Sequence, residues 1–161
     1  MKTNFKKILP VIVACLIPLA VGGLSALITA EDIRAYSIIK TPPFAPPGFL
    51  FPIVWTVLYI LMGISSYLVW KHRKEMSLKV REALTTYAMS LIVNFFWSIL
   101  FFNFGTFLLS FIWLLLLLYL IIKTIIQYFK IEKISAYLQI PYALWVTFAG
   151  ILNLAIYFLN K

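Results

Sequence analysis

The sequence predicts an all-α membrane protein: a bundle of five transmembrane helices with a long Pro/aromatic first loop capping a pocket. Three observations predict it. The chain has 161 residues and is 63% hydrophobic, against about 45–50% for a soluble globular domain. Its apolar residues fall into five runs, each long enough to cross a hydrocarbon core of about 30 Å. Its 14 Lys and Arg residues gather at particular run ends rather than on one face. That placement is a topology signal, and it argues against nucleic acid as a partner despite the net charge of +9.

The first helix is expected at about residues 8–30. Lys2, Lys6 and Lys7 precede it, as in a signal peptide, but the run is long enough to span and lacks a clear small-x-small cleavage site. Pro18 and the pair Gly22–Gly23 interrupt it. Such residues bend a helix and admit close neighbours, or leave room beside a ligand. The second helix is expected at about 51–70, with Trp55 and Tyr59 on one face at i, i+4. His72, in the basic stretch that follows, reads as a solvated loop residue. The third helix, about 83–102, carries Asn94 and Trp97 at i, i+3. An amide within a span must find a partner or face a polar cavity. Thr86 and Ser90 form a small-x-x-x-small pair, a hint of a dimer face. The fourth helix, about 107–129, is the most uniformly apolar. The fifth, about 134–159, places Tyr142, Trp145, Ala149, Leu152 and Asn153 on one face. Together the five make 1–161 a single transmembrane domain.

Between the first two helices, Lys40 to Tyr59 reads KTPPFAPPGFLFPIVWTVLY. Proline lacks an N–H and fixes φ, so Thr41 to Pro47 is expected to run extended rather than helical. Irregular backbone at membrane depth survives where protein buries it or where it borders a cavity. The stretch is read either as the lid of a ligand pocket or as a stiff loop with its aromatics in the headgroup belt.

Most basic residues lie on one side of the bundle: Lys2, Lys6 and Lys7; Lys71, Arg73, Lys74, Lys79 and Arg81; Lys123, Lys130 and Lys133. The positive-inside rule then puts the N-terminus in the cytoplasm, and the first loop and C-terminus outside. In that topology Trp55, Tyr59, Asn94, Trp97, Ala149 and Leu152 share the outer part of the membrane, with Trp145 as a floor. Aromatic rings, amides and small residues converging beneath a stiff loop describe a pocket for a flat, largely apolar ligand. Only bulky apolar residues are expected toward the cytoplasmic side.

No span holds Asp, Glu or His, and the chain has one cysteine, Cys15. Acid–base hydrolysis, an ion-coupled pump with an intramembrane carboxylate, and haem ligation all lack their usual residues. No metal site and no cofactor are expected. A metal-free tetrapyrrole suits the pocket, with its carboxylates at Arg34 or Lys40 near the mouth.

Three motifs, P-P-F-A-P-P-G-F-x-F-P-x-V-W-T-x-L-Y, N-F-F-W-x-x-x-F-F and P-Y-x-x-W-x-x-F-A-x-x-L-N, occur in the order seen in the translocator protein/tryptophan-rich sensory protein family, also called the peripheral-type benzodiazepine receptor family. The chain resembles a bacterial member along essentially its whole length. The resemblance implies a homodimer in the cell membrane whose pocket binds protoporphyrin IX, as ligand or substrate, and isoquinoline carboxamide or benzodiazepine drugs. It implies tetrapyrrole sequestration or light-dependent breakdown, with Trp55 and Trp145 tied to the photochemistry. It also implies pocket-lining roles for Gly23, Leu27, Phe51, Val54, Asn94, Trp97, Ile112, Leu116, Ala149 and Leu152. Alternatives are a porphyrin, lipid or sterol transporter, or a ligand-responsive sensor or scaffold. Leu154, Tyr157 and Lys161 fit the loose cholesterol-contact pattern, which carries little weight.

Overall fold

A computed structural model describes the backbone at 2–35 and 38–161 and the side chains at 8–30 and 38–161. Five helices follow one another: α1 (Lys2–Ala35), α2 (Leu50–Trp70), α3 (Ser77–Ser98), α4 (Phe107–Phe129) and α5 (Lys133–Asn160). All five contain a stretch long and apolar enough to cross a membrane. They close into a ring in the order α1, α2, α5, α4, α3 and back to α1.

The bundle is turned inside out relative to a soluble protein. Ile12, Leu16, Leu24, Ile53, Ile92, Leu115, Leu144 and Ile151 face outward, while Ser65, Thr86, Ser90, Asn94, Ser110, Thr124, Gln139 and Asn153 are buried. Lipid cannot satisfy a polar group, so hydroxyls and amides turn inward and the apolar side chains meet the bilayer. Several hydroxyls are satisfied within their own helix by the carbonyl four residues back, among them Thr29 to Ser25 (3.0 Å), Ser110 to Thr106 (2.9 Å) and Thr124 to Leu120 (2.8 Å). Thr86 and Ser90 are inside the bundle. This corrects the expectation that they mark a dimer face.

The loops hold the helix ends together. In the first loop, the Ala45 N–H donates to Pro42 O (3.0 Å) and the Leu50 N–H to Pro47 O (2.9 Å). Thr41 to Pro47 is therefore turned rather than fully extended, because Pro43 supplies the φ that the second position of a turn requires. Asn160, at the end of α5, accepts from Lys40 N–H (3.1 Å) and donates to Lys40 O (2.9 Å), clamping the loop to that helix. At the opposite end of the bundle, a 3-10 turn (Lys71–Lys74) joins α2 to α3. There the Arg73 guanidinium lies 3.3 Å from the centre of the Trp70 ring. His72 is half-buried between Glu132 (3.3 Å) and Glu75 (3.6 Å). It bridges the α2–α3 and α4–α5 connections rather than standing solvated as expected. Past α3 the chain widens into a π-turn at Ile99–Asn103, and Gly105 takes a positive φ of 59° to reverse into α4.

Candidate functional site

The residues predicted on α2, α3 and α5 come together. Asn94 donates from Nδ2 to the Tyr59 hydroxyl at 3.0 Å. The Trp97 indole N–H donates to Asn153 Oδ1 at 3.4 Å, and Asn153 Nδ2 donates to Phe107 O at 2.7 Å. One polar chain thus joins α3, α5 and the start of α4. Asn94 reaches its partner because i, i+3 spacing puts it on the face of α3 that carries Trp97. Ala149 and Leu152 are buried one turn apart on α5 beside Asn153. Their small and branched side chains let that helix approach the Asn153 partners.

The aromatic rings form two joined groups. Trp55 stacks on Tyr59 (5.4 Å between centroids) and meets Tyr142 edge-on (6.1 Å). Trp145 is held between Phe51 (5.8 Å) and Phe148 (5.5 Å). Edge-to-face and offset contacts at these separations are favourable for aromatic pairs. Trp97 belongs to a further group, with Phe101 at 5.6 Å and Phe107 at 5.2 Å from Phe101. Phe101, Phe107 and Phe148 were not singled out by sequence reasoning. The i, i+4 spacing of Phe101 from Trp97 and the i, i+3 spacing of Phe148 from Trp145 were the available signal; Phe107, on the next helix, had none.

The site is packed rather than open. Two grooves of about 480 Å³ each lie on outer faces of the bundle. The one between α2 and α5 is lined by Val54, Leu58, Pro141, Trp145 and Phe148, among others. It borders the predicted site directly. The other, between α4 and α5, receives Phe44 of the first loop. The loop covers the bundle through Ile39, Pro42 and Ala45, while Phe49 points away. The aromatic lid is therefore narrower than expected: Phe51, at the top of α2, is its contact with Trp145. The indole N–H of Trp145 is buried with no acceptor.

Four predicted lining residues are not brought to this cluster. Leu27 is 77% exposed, Ile112 55% and Leu116 43%, and a Cβ on Gly23 would meet nothing within 4 Å. The inward residues of α4 are Ser110, Leu114 and Leu117. Ile112 and Leu116 each stand two places after one of these, and two residues turn an α-helix by about 200°. On α1 the inward set is Pro18, Ser25 and Thr29, with Gly22 against Tyr59. Gly23 is one place from it. As for the mouth, Lys40 is exposed beside Asn160, whereas the Arg34 side chain lies outside the described residues.

Gly22 has a clear structural part. A Cβ there would overlap the Tyr59 ring, so Gly22 sets the position of the phenol that Asn94 holds. Gly22→Ala is expected to cost about 1–3 kcal/mol through overpacking. Gly23→Ala, entering open space, is expected to gain up to about 1 kcal/mol of helix propensity. Thermal unfolding of both variants in one detergent compares them, and equal Tm values would remove the Tyr59 contact from the argument.

Against this geometry, comparison with known proteins is specific. A model of the TspO/MBR family matches residues 14–159. The chain belongs to the TspO/MBR family. Its relatives include the Tryptophan-rich protein TspO of Archaeoglobus fulgidus, 36% identical over 95% of this chain and 98% of that one. The Tryptophan-rich protein TspO of Chlorobaculum tepidum is 32% identical over 96% and 98%. The Translocator protein of Bos taurus is 32% identical over 89% and 86%. The match runs from α1 to α5 and takes in the three motifs. As a TspO/MBR protein with five spanning helices, the chain is an integral membrane protein in contact with the bilayer.

Proposed function

We propose that this TspO/MBR protein binds a tetrapyrrole, protoporphyrin IX, between α2 and α5, and sequesters it or promotes its breakdown in light. The observation that carries the reading is Trp145. Its indole N–H is buried without an acceptor between Phe51 and Phe148, at the wall of the α2–α5 groove. A buried donor without a partner is costly. A flat ligand with ring nitrogens or carbonyl oxygens would satisfy it while its faces pack on Phe148, Val54 and Leu58. A groove of about 480 Å³ lies within the usual range for small-molecule sites, about 300–1,000 Å³. Because the interior is closed by ring contacts, entry from the membrane side requires α2 and α5 to part. Lys40 at the outer end offers a cation to a ligand carboxylate. Isoquinoline carboxamide and benzodiazepine drugs are part of the same reading, as competitors for the groove.

Absorption titration of the purified protein with protoporphyrin IX, in darkness and then under light, tests it. A saturable shift with a Kd of about micromolar order, displaced by an isoquinoline carboxamide, is expected, followed by bleaching on illumination. A shift that grows linearly with added porphyrin would sink the binding reading. A saturable shift without bleaching would leave binding and remove breakdown. Homodimerisation in the membrane, with the N-terminus on the cytoplasmic side, belongs to the same proposal. Crosslinking in native membranes and accessibility labelling at the two ends check these.

A further inference from the structure

The end of the bundle nearest the basic loops was expected to hold only bulky apolar residues; beside Val69, Val80 and Ile121 it also buries polar groups. Tyr87 of α3, Tyr128 of α4 and Tyr142 of α5 are all buried; the Tyr128 and Tyr142 hydroxyls close no hydrogen bond, and the Tyr87 hydroxyl has only a weak contact with the Ser66 hydroxyl. Ser135 Oγ and Gln127 Oε1 are buried and unpartnered in the same way. The three tyrosines are not scattered. The Tyr87 and Tyr128 rings are 6.4 Å apart. The Tyr87 phenol lies beside the Ser66 hydroxyl of α2 and near the Tyr59 phenol and Cys15 Sγ, and Tyr142 lies near Tyr59 and Tyr87. Ser65 Oγ donates to Ser135 O (2.8 Å), and Gln139 Nε2 donates to Ser65 Oγ (3.2 Å). All five helices contribute a polar atom.

The group forms a column. Tyr128 and Ser135 flank the α4–α5 turn, and Tyr142 stands seven residues further along α5, a climb of about 10 Å. Tyr59 and Asn94 continue it into the aromatic cluster. In proteins, buried polar atoms are nearly always paired with protein or with bound water. Here the neighbouring hydroxyls of Tyr128 and Tyr142 lack a protein partner, and that of Tyr87 has only Ser66. Among the described residues no charged side chain is buried, so the column suits a neutral guest rather than an ion. Phenol and serine hydroxyls donate and accept alike, which matches water, itself both donor and acceptor.

We propose that the basic-loop half of the bundle is a second, polar site that binds water, held by the Tyr87, Tyr128 and Tyr142 hydroxyls with Ser135 and Gln127 at its entrance. It gives the Tyr59–Asn94 pair a hydrated approach from the side of the basic loops, and it stands apart from the lipid-facing α2–α5 groove. It does not depend on tetrapyrrole binding.

Water-to-protein magnetisation transfer, measured by solid-state NMR on the ligand-free protein in bilayers, tests the site. Transfer to the amides around Tyr87 and Tyr142 is expected in the unaltered protein. It should be lost in Tyr87→Phe and Tyr142→Phe and retained in Tyr119→Phe, whose ring faces lipid. Absence of transfer in the unaltered protein overturns the proposal, as does transfer indifferent to both inner substitutions. Should the inner variants fail to fold, the spectrum of the unaltered protein decides alone.

Discussion

Gly63→Ala is expected to destabilise the bundle more than any other single-methyl change on α1 or α2. A Cβ at Gly63 would fall on Cys15 Cα and lie 2.8 Å from both Ala14 O and Cys15 N. These are backbone atoms, so no rotamer change can make room and the two helices must separate. Close backbone approach through small residues is a main source of helix association where lipid supplies no hydrophobic drive. Separation would also thin the packing of Met62, which is fully buried one residue earlier. The expected loss is about 2–3 kcal/mol, the upper part of the overpacking range. It should show as a fall in Tm and as faster exchange of the α1 amides. A variant with unchanged Tm would mean that α1 is held by its other contacts and slides without cost. Gly23→Ala is the internal control, since it adds the same methyl to open space on the same face-to-face pair of helices.

The contrast between these glycines shows how much of the molecule was legible in the chain. Spans were legible because length and hydropathy alone define them; α4 occupies the residues expected, α1, α2 and α5 extend beyond theirs, and α3 starts six residues earlier and gives way to the π-turn at Ile99. Faces were legible wherever a polar or small residue marked them. Asn94 with Trp97 and Trp55 with Tyr59 each landed on one inward face, as did Ala149 with Leu152 and Asn153. Rotation was not legible for α1 and α4. These helices are apolar on every side, and Leu114 to Leu118 offers no contrast between lipid and core. Their lining residues came from resemblance, and a shift of one or two places carries a residue to another face. The hydroxyls of Ser25, Thr29, Ser110 and Thr124 were the physical markers, since lipid excludes them. His72 escaped for a different reason: its partner Glu132 is 60 residues away, and no local pattern reports such a contact.

The inverted pattern has a consequence for how the site works. Its polar atoms are joined in a chain from Tyr59 through Asn94 on one side, and from Trp97 through Asn153 to the start of α4 on the other. Each bond crosses between helices, so a ligand that moves one helix alters its neighbour's partners. Trp145 is outside this chain. It contacts Phe51 and Phe148 through its ring alone, which leaves it free to shift without breaking a hydrogen bond. Among the buried indoles it is therefore the one best placed to answer a ligand.

Trp55→Phe and Trp145→Phe are expected to separate binding from photochemistry, on the reading that a tetrapyrrole occupies the α2–α5 groove. Phenylalanine keeps an apolar ring at each position, so contacts with Tyr59, Tyr142, Phe51 and Phe148 are largely preserved. What it removes is the electron-rich indole, which can give an electron to an excited porphyrin or trap the oxygen species it makes. No acid or base is required for such a reaction, in keeping with the lack of Asp, Glu and His within 8–30, 51–70, 83–102, 107–129 and 134–159. Dark affinity should change by no more than about threefold, while bleaching under light should fall by about tenfold or more, the pattern of groups that act in the chemical step and not in binding. Trp145→Phe should have the larger effect on affinity of the two, because it also deletes the unpaired N–H. Bleaching at the unaltered rate in both variants would remove the indoles from the chemistry. A parallel loss of dark affinity and bleaching would make them binding residues only.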